Sequence, residues 1–302
     1  MKIPKHRILG ILAVALMALL ITPVASAQSR VPQLEFEAKA PKAKDDTLNL
    51  EERPYFLLIE QSEKALAEND YDAAALRLVE AMGIEPNNPL NVALLSNLGM
   101  IYYYNEQDSL ALVTLTDAVR RSPRLIGAHD MRARVLTGMG RDREAYDEYQ
   151  TIIDIDSVNT DARFYHGMMA LYTGDLETAR RDFAVMERVV PLSRKTTLAL
   201  ATMNAMTGND REAISLFRKL IDVEKMPEYY GQLVGCLIAV DDLDGASKAI
   251  GEGLSYFADD PELIYYRAVL NKKRYMDADA RRDAQRAVQL GVDPHRVADI
   301  LM

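Results

Sequence analysis

Tryptophan is absent from this 302-residue sequence, and cysteine occurs only once, at Cys236. A single cysteine cannot form an intramolecular disulfide, so the stability of the fold has to come from packing. Cys236 lies in an apolar stretch, where a lone cysteine is more often a core residue than a nucleophile. Glycine and proline are sparse, with 15 and 12 residues, whereas alanine, leucine and charged residues abound. This composition favours helices over sheets.

Catalytic and cofactor motifs are also missing. The sequence contains no G-x-S-x-G elbow, no P-loop and no H-E-x-x-H helix. Three histidines lie beyond residue 27, at His129, His166 and His295, and a metal site would need ligands converging from separate segments. Carboxylates cluster at turns, where helix capping accounts for them. We therefore expect no catalytic residue, no metal site and no cofactor, and we expect that the protein is not an enzyme.

The N-terminus has the pattern of an export signal. Three basic residues precede an unbroken apolar stretch at 8–21, and Ala25-Ser26-Ala27 follows with the small-x-small pattern of a cleavage site. The apolar stretch has 14 residues, fewer than the roughly 20 that span a bilayer. We expect a signal peptide at 1–27 and an exported protein, periplasmic or secreted, with no membrane span after cleavage. An uncleaved N-terminal anchor is the alternative.

The remainder of the chain is acidic. Three positive charges lie in the leader, so the formal net charge of −9 becomes −12 without it. Nucleic acid and anionic membrane surfaces would repel such a body, which argues against both as main partners. Residues 28–54 contain scattered prolines, lysines and aspartates without a sustained apolar period. We interpret this segment as a flexible tether.

From residue 55 onward the sequence repeats itself. Alanines recur at intervals of 37, 34, 34, 34, 33 and 34 residues. These alanines are Ala74, Ala111, Ala145, Ala179, Ala213, Ala246 and Ala280. Most are followed four residues later by a bulky apolar residue, which places the pair on one helical face. Each follows a short turn, and in three of these turns a glycine, Gly140, Gly174 or Gly208, can end one helix while the aspartate or asparagine near it can cap the next. Periods of this length are typical of helical repeat proteins.

These residues resemble the tetratricopeptide repeat (TPR) family. The segment Asn97-Leu98-Gly99-Met100-Ile101-Tyr102 is similar to the first-helix pattern L-G-x-x-Y, and Ala111, Leu115, Ala118 and Pro123 are similar to the second-helix pattern. The resemblance implies an all-α, right-handed superhelical solenoid of about seven helix-turn-helix repeats. The array covers 55–294, followed by a short C-terminal cap at 295–302. The expected repeats are 55–88, 92–125, 126–159, 160–193, 194–227, 228–260 and 261–294.

The resemblance also implies a concave groove lined by the first helix of each repeat. In the family, the groove-lining residues occupy fixed positions within each first helix, here called the groove offsets. In this sequence those positions hold a set of residues rich in aromatic residues and methionine. Its members are Met100, Tyr103, Tyr104, Arg134, Phe164, Met168, Leu171, Tyr172, Met206 and Tyr265. The family's asparagine at the carboxylate-binding position is replaced by Glu63, Met100, Arg134, Met168 or Thr202. A clamp for a C-terminal carboxylate is therefore not expected.

Tyrosine and methionine provide adaptable apolar contact area, so this set favours binding of a protein or peptide segment. We expect an interaction scaffold that works within a cell-envelope assembly. Individual members of the set could instead pack between hairpins. A groove for glycans or small ligands is the alternative function, although tryptophan, the usual stacking platform for sugars, is absent.

Two further expectations concern modification and self-association. Thr47, Ser109 and Ser157 each follow an aspartate and precede an apolar residue, a pattern similar to an O-glycosylation acceptor of some exported bacterial proteins. The same pattern also fits ordinary turns and caps. Apolar residues at 297–302 suggest an end-to-end contact between two copies, because the outer face of a terminal repeat is normally polar.

Overall fold

The computed structural model describes residues 53–302, which form fifteen α-helices and no β-strand. The helices are α1 Pro54–Ala67, α2 Tyr71–Ile84, α3 Asn91–Tyr104, α4 Asp108–Arg121, α5 Ile126–Gly138, α6 Asp142–Ile155, α7 Thr160–Thr173, α8 Leu176–Val189, α9 Arg194–Thr207, α10 Asp210–Val223, α11 Pro227–Ala239, α12 Leu243–Tyr256, α13 Pro261–Lys273, α14 Asp277–Gln289 and α15 Pro294–Leu301. The expected signal peptide at 1–27 and residues 28–52 of the expected tether lie outside the described residues.

The first fourteen helices form seven consecutive hairpins, from α1–α2 to α13–α14, and α15 follows the last hairpin. This arrangement confirms the expected all-α fold of about seven helix-turn-helix repeats. None of the helices within 53–302 is both long enough and apolar enough to cross a membrane. Contacts divide the described chain into two compact units, residues 53–166 and residues 167–302.

Residues 53–166 pack around small residues at the points where helices cross. The core of the first hairpins includes Tyr55, Leu78, Leu94 and Ile101, which are all fully buried. Gly99 on α3 faces α4, where a Cβ atom at Gly99 would lie 2.4 Å from the Cγ atom of Leu115. Only glycine therefore allows these two helices to approach so closely.

Residues 167–302 also have glycines at points of close packing between helices. A Cβ atom at Gly167 would lie 2.6 Å from the Phe183 ring. On α11, Gly235 leaves room for Tyr266 of α13, whose hydroxyl oxygen would lie 3.3 Å from an added Cβ atom. Cys236 is buried in this packing, in agreement with its interpretation as a core residue.

The turns within the hairpins depend on backbone conformation more than on capping side chains. Gly140, Gly174 and Gly208 have positive φ angles of 71°, 87° and 81°, which glycine adopts without steric cost. Asp175 caps α8 by accepting a hydrogen bond from the amide of Thr178 at 3.1 Å. Asn209, an expected cap of α10, makes no side-chain capping bond. Side-chain capping by the residue that follows the turn glycine is therefore present at some turns and missing at others.

The C-terminal segment is an amphipathic helix, α15, that packs on α13 and α14. Val297 and Ile300 are buried, whereas Leu301 and Met302 are exposed. Two of the apolar residues expected to mediate an end-to-end contact, Val297 and Ile300, therefore pack against the last hairpin and are not available to a second copy. Any contact between two copies through this end would depend on Leu301 and Met302.

Candidate interaction surface

Tyrosines from neighbouring hairpins meet on residues 53–166. The rings of Tyr103 and Tyr104, at the end of α3, have centroids 5.7 Å apart in an edge-to-face arrangement. Tyr104 also stacks on Tyr71, the first residue of α2, at 6.5 Å with an interplanar angle of 19°. Tyr71, Tyr103 and Tyr104 are only partly buried. They form a continuous aromatic strip that reaches solvent.

An arginine with a fixed orientation continues this strip. Arg134 on α5 donates a hydrogen bond from Nε to Oδ2 of Asp130 at 2.8 Å, one helical turn earlier. Its guanidinium carbon lies 6.0 Å from the ring centroid of Tyr165 on α7, within range of a cation–π interaction. The Tyr165 ring stacks on buried Tyr149 at 5.1 Å. Helices α3 and α5 also pack directly on each other.

We call Tyr71, Tyr103, Tyr104, Asp130, Arg134 and Tyr165 the tyrosine surface. Partial burial raises the pKa of Tyr103 and Tyr104, and in both cases the Arg134 charge opposes that change. Their hydroxyl groups therefore remain protonated near neutral pH. Burial acts to lower the pKa of Arg134, but the combined effects of Asp130, Tyr165 and Tyr149 outweigh burial, so the pKa is raised. The surface thus offers hydroxyl donors and one permanent cation among aromatic rings.

The structure places the ten expected groove residues in two classes. Six are partly exposed, namely Met100, Tyr103, Tyr104, Arg134, Tyr172 and Met206. Four are buried, namely Phe164, Met168, Leu171 and Tyr265. The buried four are core residues and offer no accessible surface for a partner. For these positions the structure favours packing between hairpins over groove lining.

Phe164 illustrates the reason for this difference. It packs edge-to-face against Tyr165, with ring centroids 5.2 Å apart, and its own side chain is only 6% exposed. Adjacent helical residues point about 100° apart, so a shift of one position exchanges a core residue for a surface one. On α7 the residue next to Phe164, Tyr165, is partly exposed, and the family offsets missed it.

The expected groove residues of 167–302 do not form a comparable cluster. Met168 and Leu171 are buried on α7. The hydroxyl of Tyr172 is buried and has no hydrogen-bond partner among the described residues, and burial raises its pKa. Tyr265 lies beneath Arg296, whose guanidinium carbon is 4.3 Å from its ring centroid. Met206 on α9 is partly exposed.

The histidines and the expected O-glycosylation acceptors differ in their exposure. His129 and His166 are both buried: His129 contacts Glu148, and His166 stacks on Tyr146 at 4.0 Å. Across residues 53–302 no group of three or more histidine, cysteine or acidic side chains is arranged to hold a metal ion. Ser109 and Ser157 are exposed, while Thr47 lies outside the described part of the chain.

The chain matches no protein-family model and no curated protein. Among solved structures it is similar to a tetratricopeptide repeat protein from Parabacteroides merdae, with 25% sequence identity and a TM-score of 0.67 over 82% of this chain and 97% of that chain. It is also similar to a chain of the APC/C hetero-tetramer Cut9–Hcn1, at 14% identity and a TM-score of 0.62. That match covers 84% of this chain and 56% of the other.

A third similar structure is PilW, a type IV pilus biogenesis factor, with 14% identity and a TM-score of 0.61. The match covers 71% of this chain and all of PilW. These likenesses agree with the hairpins seen here, and the fold is that of tetratricopeptide-repeat proteins.

Proposed function

We propose that this tetratricopeptide-repeat protein is an exported scaffold that binds a partner protein through the tyrosine surface. The observation that carries the proposal is the contact of the Tyr104 ring with Tyr71 and with Tyr103. Arg134 lies close enough for its charge to act on Tyr103 and Tyr104, and its guanidinium also faces the ring of Tyr165. The tyrosine surface lies on described residues of four different helices, as a binding surface built by a repeat array should.

The chemistry of the surface suits a peptide segment. Tyrosine offers a large rigid ring with a polar tip and loses little side-chain entropy on binding, which is why it is enriched in protein interfaces. Arg134 is held by Asp130, so its planar guanidinium is oriented before a partner arrives. Preorganisation of this kind lowers the entropic cost of association.

The partner segment that fits best is apolar or amphipathic. Asp130 balances the charge of Arg134 locally, so no excess of either sign selects a highly charged ligand. Apolar side chains of the partner would cover the rings, while its backbone carbonyls would accept hydrogen bonds from the tyrosine hydroxyls. Binding is thus assigned to ring contact area, with hydrogen bonds setting the register.

Export and a place in a cell-envelope assembly are part of the proposal. Their support is the basic, apolar and small-x-small pattern of residues 1–27. Fractionation of cells that produce the full chain, with N-terminal sequencing of the product, tests this part. A product that begins at Gln28 outside the cytoplasm supports export, whereas an intact leader on a cytoplasmic product contradicts it.

The binding role is tested with peptides selected by the protein from a random library. Replacing Tyr104 and Tyr165 together with serine should weaken the best peptide by at least about tenfold, since aromatic anchors carry about 1–2 kcal/mol each. A matched control replaces Tyr256 and Tyr275, which are exposed elsewhere, and should leave the affinity unchanged.

Helical circular dichroism should be the same for both double variants. Equal affinity of the wild type and the Tyr104/Tyr165 variant would refute the tyrosine surface as the binding site. Selection of no peptide, together with saturable binding of glycans that Tyr104→Ser weakens, would favour the glycan-binding alternative.

A further inference from the structure

The first helix of the array exposes a leucine at a position that every later hairpin buries. Leu57 on α1 is 40% exposed. It lies five residues before Ser62, the small residue at the helix crossing, and the same offset can be read in the other six hairpins. The equivalent residues are Leu94 0%, Ala128 0%, Ala162 1%, Thr196 0%, Tyr229 2% and Leu263 0% exposed. Leu57 therefore lies on the face that a preceding element normally covers.

This face forms part of a shallow apolar groove between α1 and α2. The groove has a volume of about 540 Å³ and is open to solvent. Its lining includes Pro54, Leu57, Leu58, Gln61, Gly83 and Ile84. Exposed apolar surface at the end of a repeat array lowers solubility, which is why terminal repeats usually carry a cap.

The chain reaches the groove directly from its N-terminal side. Arg53 forms an ion pair with Glu85, the residue after the last residue of α2. Its guanidinium carbon also lies 5.7 Å from the ring centroid of Phe56. Arg53 is followed by Pro54, which lines the groove. The residues that precede Arg53 therefore begin beside the groove.

We propose that Leu48 and Leu50 cover this groove, so that the segment before α1 caps the first hairpin. Leu50 is four residues from Pro54, a separation of at most about 14 Å for a fully extended chain. Residues two positions apart, as Leu48 and Leu50 are, face the same side of any segment that is extended. The proposal rests on the first hairpin alone and is independent of the tyrosine surface.

The short connection to α1 favours the segment with Leu48 and Leu50 as the occupant of the groove. A segment joined to the groove by a few residues has an effective concentration in the millimolar range. A second copy or a separate partner at micromolar concentration has to displace it. Leu48 and Leu50 bring apolar side chains, which match the leucine and isoleucine lining of the groove, and their burial removes apolar surface from water on both sides.

Thiol cross-linking in the full chain tests the cap. In a Cys236→Ser background, Asn49→Cys is combined with Gly83→Cys in the groove, and a short bis-maleimide, which adds one thiol at each end, is supplied. The matched control combines Asn49→Cys with Gly251→Cys, because added Cβ atoms at Gly83 and Gly251 both meet open space. We expect intramolecular cross-linking to Gly83→Cys to be at least about tenfold faster than in the control.

A second pair of variants identifies the side chains responsible. Leu48→Ser with Leu50→Ser should slow cross-linking to Gly83→Cys by at least about fivefold, whereas Leu34→Ser with Phe36→Ser should leave that rate unchanged. Equal rates for Gly83→Cys and Gly251→Cys would overturn the proposal. A predominantly intermolecular product would also overturn it, since it would assign the groove to a second copy. A rate for Gly83→Cys that is unchanged by the loss of Leu48 and Leu50 would do the same.

Discussion

Nδ1 of His129 lies 2.6 Å from Oε2 of Glu148, which joins the two helices of the third hairpin through a buried pair. The other ring nitrogen, Nε2, lies 3.0 Å from the carbonyl oxygen of Pro123. Glu148 also accepts a hydrogen bond from Arg132. A buried carboxylate with two such partners is stabilised as the anion, and losing either partner leaves a charge uncompensated.

The ionisation of Glu148 makes the stability of residues 53–166 depend on pH. Burial opposes the charged form, but the hydrogen bonds from His129 and Arg132 outweigh it, so the pKa of Glu148 is lowered. A lowered pKa contributes stability that is fully present above the unfolded value of about 4.3 and is lost as pH falls through the folded value.

We therefore expect Glu148→Gln to reduce the free energy of unfolding at pH 7 by about 2–4 kcal/mol. The difference from the wild type should shrink steadily below about pH 4. Urea unfolding at several pH values measures both effects. A difference that stays constant from pH 7 to pH 3 would contradict the assigned role of the carboxylate.

The close crossing at Gly99 predicts an unusual response to alanine. Alanine normally favours a helix over glycine by about 1 kcal/mol, but a Cβ atom here would collide with Leu115. We expect Gly99→Ala to lower stability by about 1–3 kcal/mol. Gly251→Ala on α12 meets open space and should raise stability by about 0.5–1 kcal/mol. Thermal unfolding of both variants provides the comparison, and two changes of the same sign would refute the crossing.

The proposed binding role distinguishes the ring of Tyr104 from its hydroxyl. Tyr104→Phe keeps the contacts with Tyr71 and Tyr103 and removes only the hydroxyl, so a selected peptide should bind within about threefold of the wild type. Tyr104→Ser removes the ring and should cost at least about fivefold. Isothermal titration separates these outcomes. A larger loss for Tyr104→Phe than for Tyr104→Ser would show that hydrogen bonding, and not ring area, dominates.

Arg296 fastens the C-terminal helix to the last hairpin. It forms a bidentate pair with Glu262 and lies over the ring of Tyr265. Lysine cannot reproduce the planar two-point contact, so Arg296→Lys should increase hydrogen exchange in α15 more than in α1–α4. Arg281→Lys, at an exposed position on α14, is the control and should change neither. Unchanged exchange in α15 would show that Val297 and Ile300 suffice to hold the helix.

Cys236 provides a probe of unfolding for residues 167–302. Burial raises the pKa of its thiol to about 12, with a further contribution from Asp210, and the thiolate is the reactive form. We expect the native protein to resist thiol reagents at pH 8 and to react fully in denaturant. Fast labelling of the native protein would show that α11 opens locally.

The repeat was predictable from the sequence because it leaves a periodic record. Alanines at near-constant intervals mark the first turn of the second helix in each hairpin, and the structure has all seven of them buried. The turn glycines were predictable for a similar reason, since a positive φ angle selects glycine directly. Asn69, Glu106, Asp241 and Tyr275 have positive φ angles without being glycine, so the corresponding turns carried a weaker signal.

The tyrosine surface was predictable only in part. Tyr103, Tyr104 and Arg134 belong to the expected set and lie on the described surface, whereas Tyr71 and Tyr165 were missed. Tyr71 begins a second helix, which the groove offsets do not sample. Its contact with Tyr104 joins residues 33 positions apart, and no local pattern reports such a pair.

The sequence by itself determined the class of helices, their pairing and the spacing of the hairpins. Those properties follow from local periodicity, because each hairpin repeats one short pattern of small, bulky and turn residues. Tertiary structure alone decided which of two adjacent aromatic residues, Phe164 or Tyr165, is buried and which reaches solvent. That choice depends on how α7 is rotated about its own axis relative to the helices that pack on it. A rotation that exchanges two adjacent residues leaves the spacing of about 34 residues between repeats unchanged, so that spacing does not predict it.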